Sequence, residues 1–391
     1  MSTQKCNVCG SSLHKKIYDS GNSLSLTSLC TTLNSRTEVY ACQSCSHVQS
    51  VPIRNLKSYY DLDYNILVES EDEDQIYEVV MGNKIYRTDH QVNVMLDKLL
   101  LKAGTRILDY GCAKSSTMRA LSKLGLGCEV FLFDVSDRYR AFWDNFVSVN
   151  NYATYDLPDD WQGTFDIVTS FFSLEHIEKP QDALINTKRV LRNGGILYGV
   201  VPSFLSNSAD LIVVDHVNHF TPLSLYQLLN DNGFLNIDID DISHKGAIVF
   251  SAQKSDSEDN CSIITTSLVD ASSIVDKAQK IGHFWQHAGE RVRAFEKSLD
   301  SDAKLAIYGA GFYGSFIMSW LSGRFQVDYV LDQNPFMHGR KINCATVMDP
   351  TCLPADVNTL LVGLNPSHAK QVIQEVTCLK NRSLNIFYLQ D

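Results

Sequence analysis

Arg106-Ile-Leu-Asp-Tyr-Gly-Cys112 and Phe131-Leu-Phe-Asp-Val-Ser136 decide how this 391-residue chain folds. Each is a short apolar run that ends in an acid at a turn, Asp109 before Gly111 in the first and Asp134 in the second. Working outward, Phe165-Asp-Ile-Val-Thr-Ser-Phe171 and Gly194-Gly-Ile-Leu-Tyr-Gly-Val-Val-Pro202 read as further buried strands. Gln181–Asn193 and Pro222–Gly233 read as amphipathic helices that stop near Asn-Gly or Gly. Strand and helix alternate from Arg106, so an α/β fold with a doubly wound parallel sheet is expected. Upstream, residues 75–103 carry Ile76, Val79, Val80, Val92, Met95, Leu96, Leu99 and Leu100 at roughly helical spacing, which predicts a helical lead-in. Downstream, the polar stretch 251–262 predicts a linker or long surface turn, and a helix from about Ser267 to Leu299 follows. At Lys304 a second α/β pattern begins.

Composition narrows the classes. The chain is 44% hydrophobic and 20% charged, which excludes a wholly disordered or fibrous protein. Its length allows two or three domains. The net charge of −11, with no Lys/Arg-rich run, argues against general nucleic-acid binding, which depends on phosphate neutralisation. No apolar run approaches the ~20 residues that span a bilayer. The opening Met-Ser-Thr-Gln-Lys-Cys-Asn-Val-Cys-Gly10 has no apolar signal core, so a cytoplasmic protein without a membrane partner is expected.

Eleven cysteines divide into two Cys-x-x-Cys pairs, Cys6/Cys9 and Cys42/Cys45, and seven scattered residues. Two thiols on each of two tight turns supply four ligands and a closed tetrahedral shell, so a structural zinc ion is expected there. The span between Cys9 and Cys42 is longer than in the commonest pattern, and a hairpin insertion absorbs it at little closure cost. With four thiolates in place, His47 is a bystander. The alternatives are a redox pair, which wants a different context, or coincidence.

The middle of the chain resembles the class I S-adenosylmethionine methyltransferases over about residues 100–250. Asp109 and Gly111 end the first strand as in that family, and Asp134 ends the second. The resemblance implies that Gly111 lets the backbone approach the cofactor, that Asp109 accepts the methionine amino group, and that Asp134 accepts the ribose hydroxyls. It places Ala113 in the glycine turn, Tyr155 and Asp156 near the adenine, and Ser173 in the Ser173-Leu-Glu-His-Ile177 turn. The run Gly111-Cys-Ala-Lys-Ser-Ser116 lacks the family's further glycines. Ala113 and Ser115 are tolerable there if φ stays negative. Lys114 either pairs with the cofactor's carboxylate or points into solvent.

Val214-Asp-His-Val-Asn-His-Phe-Thr221 follows the fifth strand, where substrate should meet the methyl group. Histidine titrates near neutrality and can take a proton, so His216 is the leading candidate base, with Asp215 to orient it. His219 and His176 are lesser candidates, and all of these residues could equally pack a loop.

The whole chain resembles the three-domain sugar C-methyltransferases. Cys6-x-x-Cys-Gly10 and Cys42-x-x-Cys45-Ser-His-Val-Gln49 carry the resemblance in front. Ile307-Tyr-Gly-Ala310, Asp332-Gln-Asn-Pro335 and Gly339-Arg340 carry it behind. It implies a zinc-binding domain over 1–60, a methyltransferase domain with a Rossmann-like core over 61–255 and a second Rossmann-like domain over 256–391. The implied reaction is methylation at carbon of a nucleotide-linked keto-deoxysugar: a base removes the proton beside the ketone and the enolate takes the methyl group. His216 matches the family's catalytic histidine, and Asp215 stands for its glutamate. The family's two tyrosines near this point correspond to Val213 and His219, so O- or N-methylation of a sugar or other small metabolite stays open. Gly309-x-Gly311-x-x-Gly314 with Asp332 has the context of a dinucleotide fingerprint. Read alone it suggests bound NAD, or a non-catalytic carbohydrate-pathway module. The resemblance makes Gly309, Gly311, Gly314, Asp332 and Asn334 part of a substrate enclosure.

Overall fold

A computed structural model of the chain describes residues 4–64, 70, 73–80, 83–255, 271–380 and 382–390. Its central sheet is built from β1 (Arg106–Tyr110), β2 (Glu129–Asp134), β3 (Tyr152–Thr154), β4 (Phe165–Phe171), β5 (Leu191–Pro202), β6 (Phe234–Asp240) and β7 (Ala247–Lys254). The strand order is β3-β2-β1-β4-β5-β7-β6. β1 to β5 run parallel, and β7 is antiparallel to both β5 and β6. Ile107, Leu108, Leu132, Val168 and Val200 are buried, because helices cover both faces of a parallel sheet and its strands become continuous apolar runs. The chain leaves β1 towards β2 on one side and returns to β4 on the other. In sheets of this kind ligands bind at such a reversal, beyond the carboxyl ends of the strands, here β1 and β4.

Four helices of eight or more residues accompany these strands: α1 (Arg87–Lys98), α2 (Ser116–Lys123), α3 (Pro180–Val190) and α4 (Pro222–Asp231). α4 starts on a reciprocal cap. The Ser224 amide donates to Thr221 Oγ1 at 3.0 Å and the Thr221 amide donates to Ser224 Oγ at 2.9 Å, with Pro222 in the first turn. The histidine segment just before it therefore ends on a fixed point.

The helical lead-in is only half present. α1 covers its second part, but Ile76–Val80 and Asn83–Tyr86 pair as an antiparallel hairpin. Ile76, Val79, Val80, Ile85 and Tyr86 are β-branched or aromatic, so local propensity prevails over apparent helical spacing. β7 extends to Lys254, inside the expected linker, and residues 256–270 lie outside the described residues. The helix expected from about Ser267 spans Ala271–Ser298.

By its internal contacts the chain forms two compact units. The first takes residues 1–15, 41–210 and 216–277, and the second takes 16–40, 211–215 and 278–391. The segment 1–60, expected as a unit by itself, is thus shared between them. The second unit holds a six-stranded sheet of β8 (Leu305–Tyr308), β9 (Val327–Leu331), β10 (Lys341–Ile342), β11 (Ala345–Met348), β12 (Thr359–Val362) and β13 (Asn385–Tyr388), in the order β10-β11-β9-β8-β12-β13. The glycine run after β8 leads into α5 (Phe312–Trp320). A Cβ on Gly314 would lie 2.0 Å from the Gly309 carbonyl oxygen, and one on Gly309 would lie 2.3 Å from that of Gly363. These glycines let strand, turn and helix pack backbone to backbone. Gly314→Ala is therefore expected to lower stability by about 1–3 kcal/mol, read as a lower urea midpoint.

Candidate active site

The β1 turn brings most of the expected cofactor residues together. Asp109 is buried, and its carboxylate accepts from Ser115 Oγ at 2.6 Å and from Thr169 Oγ1 at 3.0 Å. Thr169 is its direct neighbour on β4. Asp134, at the end of β2, accepts from the Ala113 amide at 2.7 Å and the Ser136 amide at 3.1 Å. Burial raises both carboxyls to about 6, because the charged form loses its water. Gly111 has φ +72°, and a Cβ there would lie 2.0 Å from Ser173 Oγ. Glycine is needed for the turn's handedness and for the close approach of the loop after β4. Tyr155 and Asp156 are exposed, and the Tyr155 amide donates to the Asp134 carbonyl at 2.9 Å.

Two expectations about this turn fail. Ala113 and Ser115 have φ of +43° and +53°, not negative values. A left-handed non-glycine residue costs on the order of 1–3 kcal/mol. Here the turn is held by the Ala113 amide on Asp134, the Trp143 indole on the Ala113 carbonyl at 2.7 Å and the Ser115 hydroxyl on Asp109. Lys114 does not point into solvent. It is buried and its ammonium donates to the carbonyls of Ser70 and Glu73, at 2.9 and 2.7 Å.

The histidine segment is held by a residue that sequence reasoning missed. Asp210 is buried, and its two oxygens take His216 Nδ1 at 2.6 Å and His219 Nδ1 at 3.0 Å. These two imidazoles hold its carboxyl well below the usual carboxylate range, against the opposing effect of burial. Asp215, expected to orient His216, instead accepts from the Ser28 amide and hydroxyl, both at 2.7 Å. One peptide unit separates Asp215 from His216, but their side chains serve different neighbours. The only sequence signal for Asp210 is its place just before the apolar run Leu211-Ile-Val-Val214, which draws an adjacent acid inside.

His219 Nε2 takes the Ser50 hydroxyl at 2.9 Å, and Asn218–His219 pair antiparallel to Val48–Gln49. Asn218 Oδ1 also meets Asn7 Nδ2 at 3.0 Å and His47 Nε2 at 3.2 Å. The backbone just beyond the cysteine pairs thus braces the histidine segment. His176 lies with its ring centroid 4.7 Å from that of His216, and its Nδ1 meets the Tyr60 hydroxyl at 2.6 Å. Beside it the Glu175 carboxyl is fully buried, and neither oxygen has a hydrogen-bond partner among the described residues. Burial pushes it up to about 8.

Cys6, Cys9, Cys42 and Cys45 converge, with their sulfurs within 4.8 Å of one another. The Cys6–Cys45 and Cys9–Cys42 sulfur pairs are each 3.5 Å apart. Tetrahedral Zn–S bonds of about 2.3 Å imply S–S separations just under about 4 Å. The cluster therefore fits a small zinc-ribbon-like element. His47 is buried and bonded to Asn218 and Ser224. In the second unit, Asp332 accepts from the Ala310 amide and the Asn334 amide, both at 2.8 Å, and Asn334 Oδ1 accepts from the Phe336 amide at 3.1 Å. Gly311 faces open space.

Residues 83–239 match the family model described as a methyltransferase domain. The chain carries a methyltransferase domain. That domain has a class I core, with the strand order and the antiparallel seventh strand described above. Among solved structures, it is similar to a putative methyltransferase complexed with the Trm112 activator from Haloferax volcanii, at 17% identity and TM-score 0.37, over 43% of this chain and 91% of that one. It is also similar to the CurJ carbon methyltransferase, at 17% identity and TM-score 0.34, over 41% of this chain and 51% of that one. A methyltransferase from Archaeoglobus fulgidus matches at 14% identity and TM-score 0.36, over 43% of this chain and 94% of that one. No curated protein matches the sequence. No described helix is long and apolar enough to cross a membrane.

The buried acids of this domain set a pH dependence. Each of Asp109 and Asp134 keeps its proton to about pH 6 when folded, against 3.8 ordinarily. The folded state binds more protons in that window, so their contribution makes the free protein lose stability as pH rises from about 4 to about 6. A ligand that needs both carboxylates charged gains affinity over the upper part of the same window. Titration calorimetry with S-adenosylmethionine is expected to show affinity rising from pH 5 to about 7 and then levelling. In Asp134→Asn the rise is expected to be shallower.

Proposed function

We propose that the chain methylates carbon in a nucleotide-linked keto sugar, with S-adenosylmethionine as donor. The observation that carries this reading is the buried Asp210–His216 pair on the segment after β5. Asp109 and Asp134 would hold the donor's amino group and ribose, and the Gly111 turn leaves room for its backbone approach. When bound, the donor supplies an electrophilic methyl group.

Asp210 accepts a hydrogen bond from the Nδ1–H of His216, so Nε2 carries the ring's lone pair. A proton leaves the carbon beside the sugar ketone and bonds to His216 Nε2. The C–H electron pair passes into the enolate, whose carbon is the nucleophile for the methyl group. The Asp210 carboxylate stabilises the imidazolium that results. His219, held on the same carboxylate and on Ser50, is a positioning residue. The turn residues Ser173 and Ala113 complete the wall of the donor crevice, with Asp156 at its exposed rim. Gly309, Gly311, Gly314, Asp332 and Asn334 would shape an enclosure for the sugar nucleotide in the second unit, where Gly311 leaves space for a phosphate near the start of α5.

The four thiolates of Cys6, Cys9, Cys42 and Cys45 would hold a structural zinc with no open position, and so no part in the chemistry. Its role would be to fix Asn7, His47 and the Val48–Ser50 strand that brace Asn218 and His219. A Cys42→Ser chain is expected to lose one equivalent of zinc by elemental analysis and to melt at lower temperature.

Incubation with a panel of nucleotide-keto-sugars, followed by mass spectrometry, is expected to show a methyl-sized gain. Loss of deuterium from the carbon beside the ketone accompanies it if carbon is the acceptor. A methyl gain with that deuterium retained would instead support an oxygen or nitrogen acceptor. His216→Ala and Asp210→Asn are expected to bind the donor normally while kcat falls about 10²–10⁴-fold.

A further inference from the structure

We propose that Glu175, His176 and His216 form a binding site for a divalent first-row transition cation. One atom from each side chain lies within 4.8 Å of the others. Bonds of about 2.0–2.2 Å from such a cation to nitrogen and oxygen put ligand atoms about 3–4 Å apart. A pair of ligand atoms at the 4.8 Å limit therefore closes by roughly 1–2 Å on binding. Glu175 points the same way independently: its side chain is 1% exposed and, among the described residues, neither oxygen has a hydrogen-bond partner. A buried carboxylate without partners is costly, and bonding to a cation removes that cost.

The two histidines are already prepared as ligands. His216 Nδ1 is fixed by Asp210 and His176 Nδ1 by the Tyr60 hydroxyl. Each ring can therefore keep its proton on Nδ1 and present Nε2. A carboxylate, hydroxyl or carbonyl on the far nitrogen is the usual support of a metal-bound imidazole, and it sets both tautomer and orientation. His176 Nε2 lies 3.9 Å from Glu175 Oε1, consistent with that arrangement. The His176 and His216 side chains keep 12% and 10% of their surface exposed, which gives an ion a way in. Two imidazoles and one carboxylate suit zinc, iron or cobalt rather than magnesium or calcium, which prefer all-oxygen shells. Three protein ligands leave open positions for water or a substrate oxygen. The site is distinct from the all-thiol cluster in ligands and in coordination.

The proposal concerns binding and does not depend on His216 being the base. Both roles use the same Nε2 lone pair, so a loaded cation and proton abstraction by His216 exclude each other.

The test is titration of Co2+ alone into the full-length protein, followed by visible absorption. The wild type is expected to bind one equivalent with weak ligand-field bands and without the intense charge-transfer absorption that marks thiolate ligands. Glu175→Gln, which keeps the side chain's shape, is expected to weaken that binding at least about tenfold. Asp210→Asn, which removes support without removing a ligand, is expected to weaken it about 10–100-fold. Unchanged S-adenosylmethionine binding by both variants shows that they remain folded. A wild type that takes Co2+ only with thiolate bands, or a Glu175→Gln protein that binds like the wild type, overturns the site. Co2+ binding with undiminished turnover leaves the site in place and removes His216 as the base.

Discussion

One buried carboxylate organises the histidine segment of this molecule. Asp210 sits in the interior with an imidazole on each oxygen. An isolated charge at that depth is expensive, and it is sustained only because both partners donate to it. The arrangement fixes the tautomer of His216 and His219 together and locks their spacing. The strand pair Val48–Gln49 with Asn218–His219 and the cap at Thr221 hold the backbone that carries them. Without these constraints a histidine after the fifth strand would be an ordinary loop residue.

The two glycine turns show one construction used twice. After β1, the Gly111 amide donates to Phe133 and the Ala113 amide to Asp134. After β8, the Gly309 amide donates to Leu331 and the Ala310 amide to Asp332. In each case the acid at the end of the neighbouring strand clamps the turn. In the first unit that acid is buried and shifted upward, and a second acid, Asp109, stands beside the turn. At the second turn the position that matches Asp109 in the first is Ile307, and Gly309 and Gly314 are occupied with close packing. A shared motif therefore does not imply a shared ligand.

The parallel core was legible because its cause is local. Strands buried on both faces must be apolar throughout, and Asp109, Gly111 and Asp134 mark their ends. The four cysteines were legible for the same reason, since Cys-x-x-Cys already places two thiols on one turn. Legibility failed where local and tertiary preferences conflict. Ile76–Tyr86 has apolar spacing that suits a helix and side chains that suit a strand. Ala113 and Ser115 adopt left-handed backbone that their side chains disfavour, because Asp109 and Asp134 fix the turn.

The sequence by itself determined the α/β alternation, the position of the glycine turns, the pairing of the cysteines and the identity of His216 as a residue to watch. Only the tertiary structure decided which acid serves that histidine. Asp215 is adjacent in the chain but its carboxylate is taken by Ser28, whereas Asp210, six residues away, arrives through the short helix Ser208–Ile212. It also decided that Glu175 is buried beside two histidines, with no hydrogen-bond partner for its carboxyl among the described residues. Chain adjacency constrains backbone atoms, while side-chain partnership depends on which charges and donors the folded core leaves within reach. That last quantity is a property of packing in three dimensions, and no spacing along the chain encodes it.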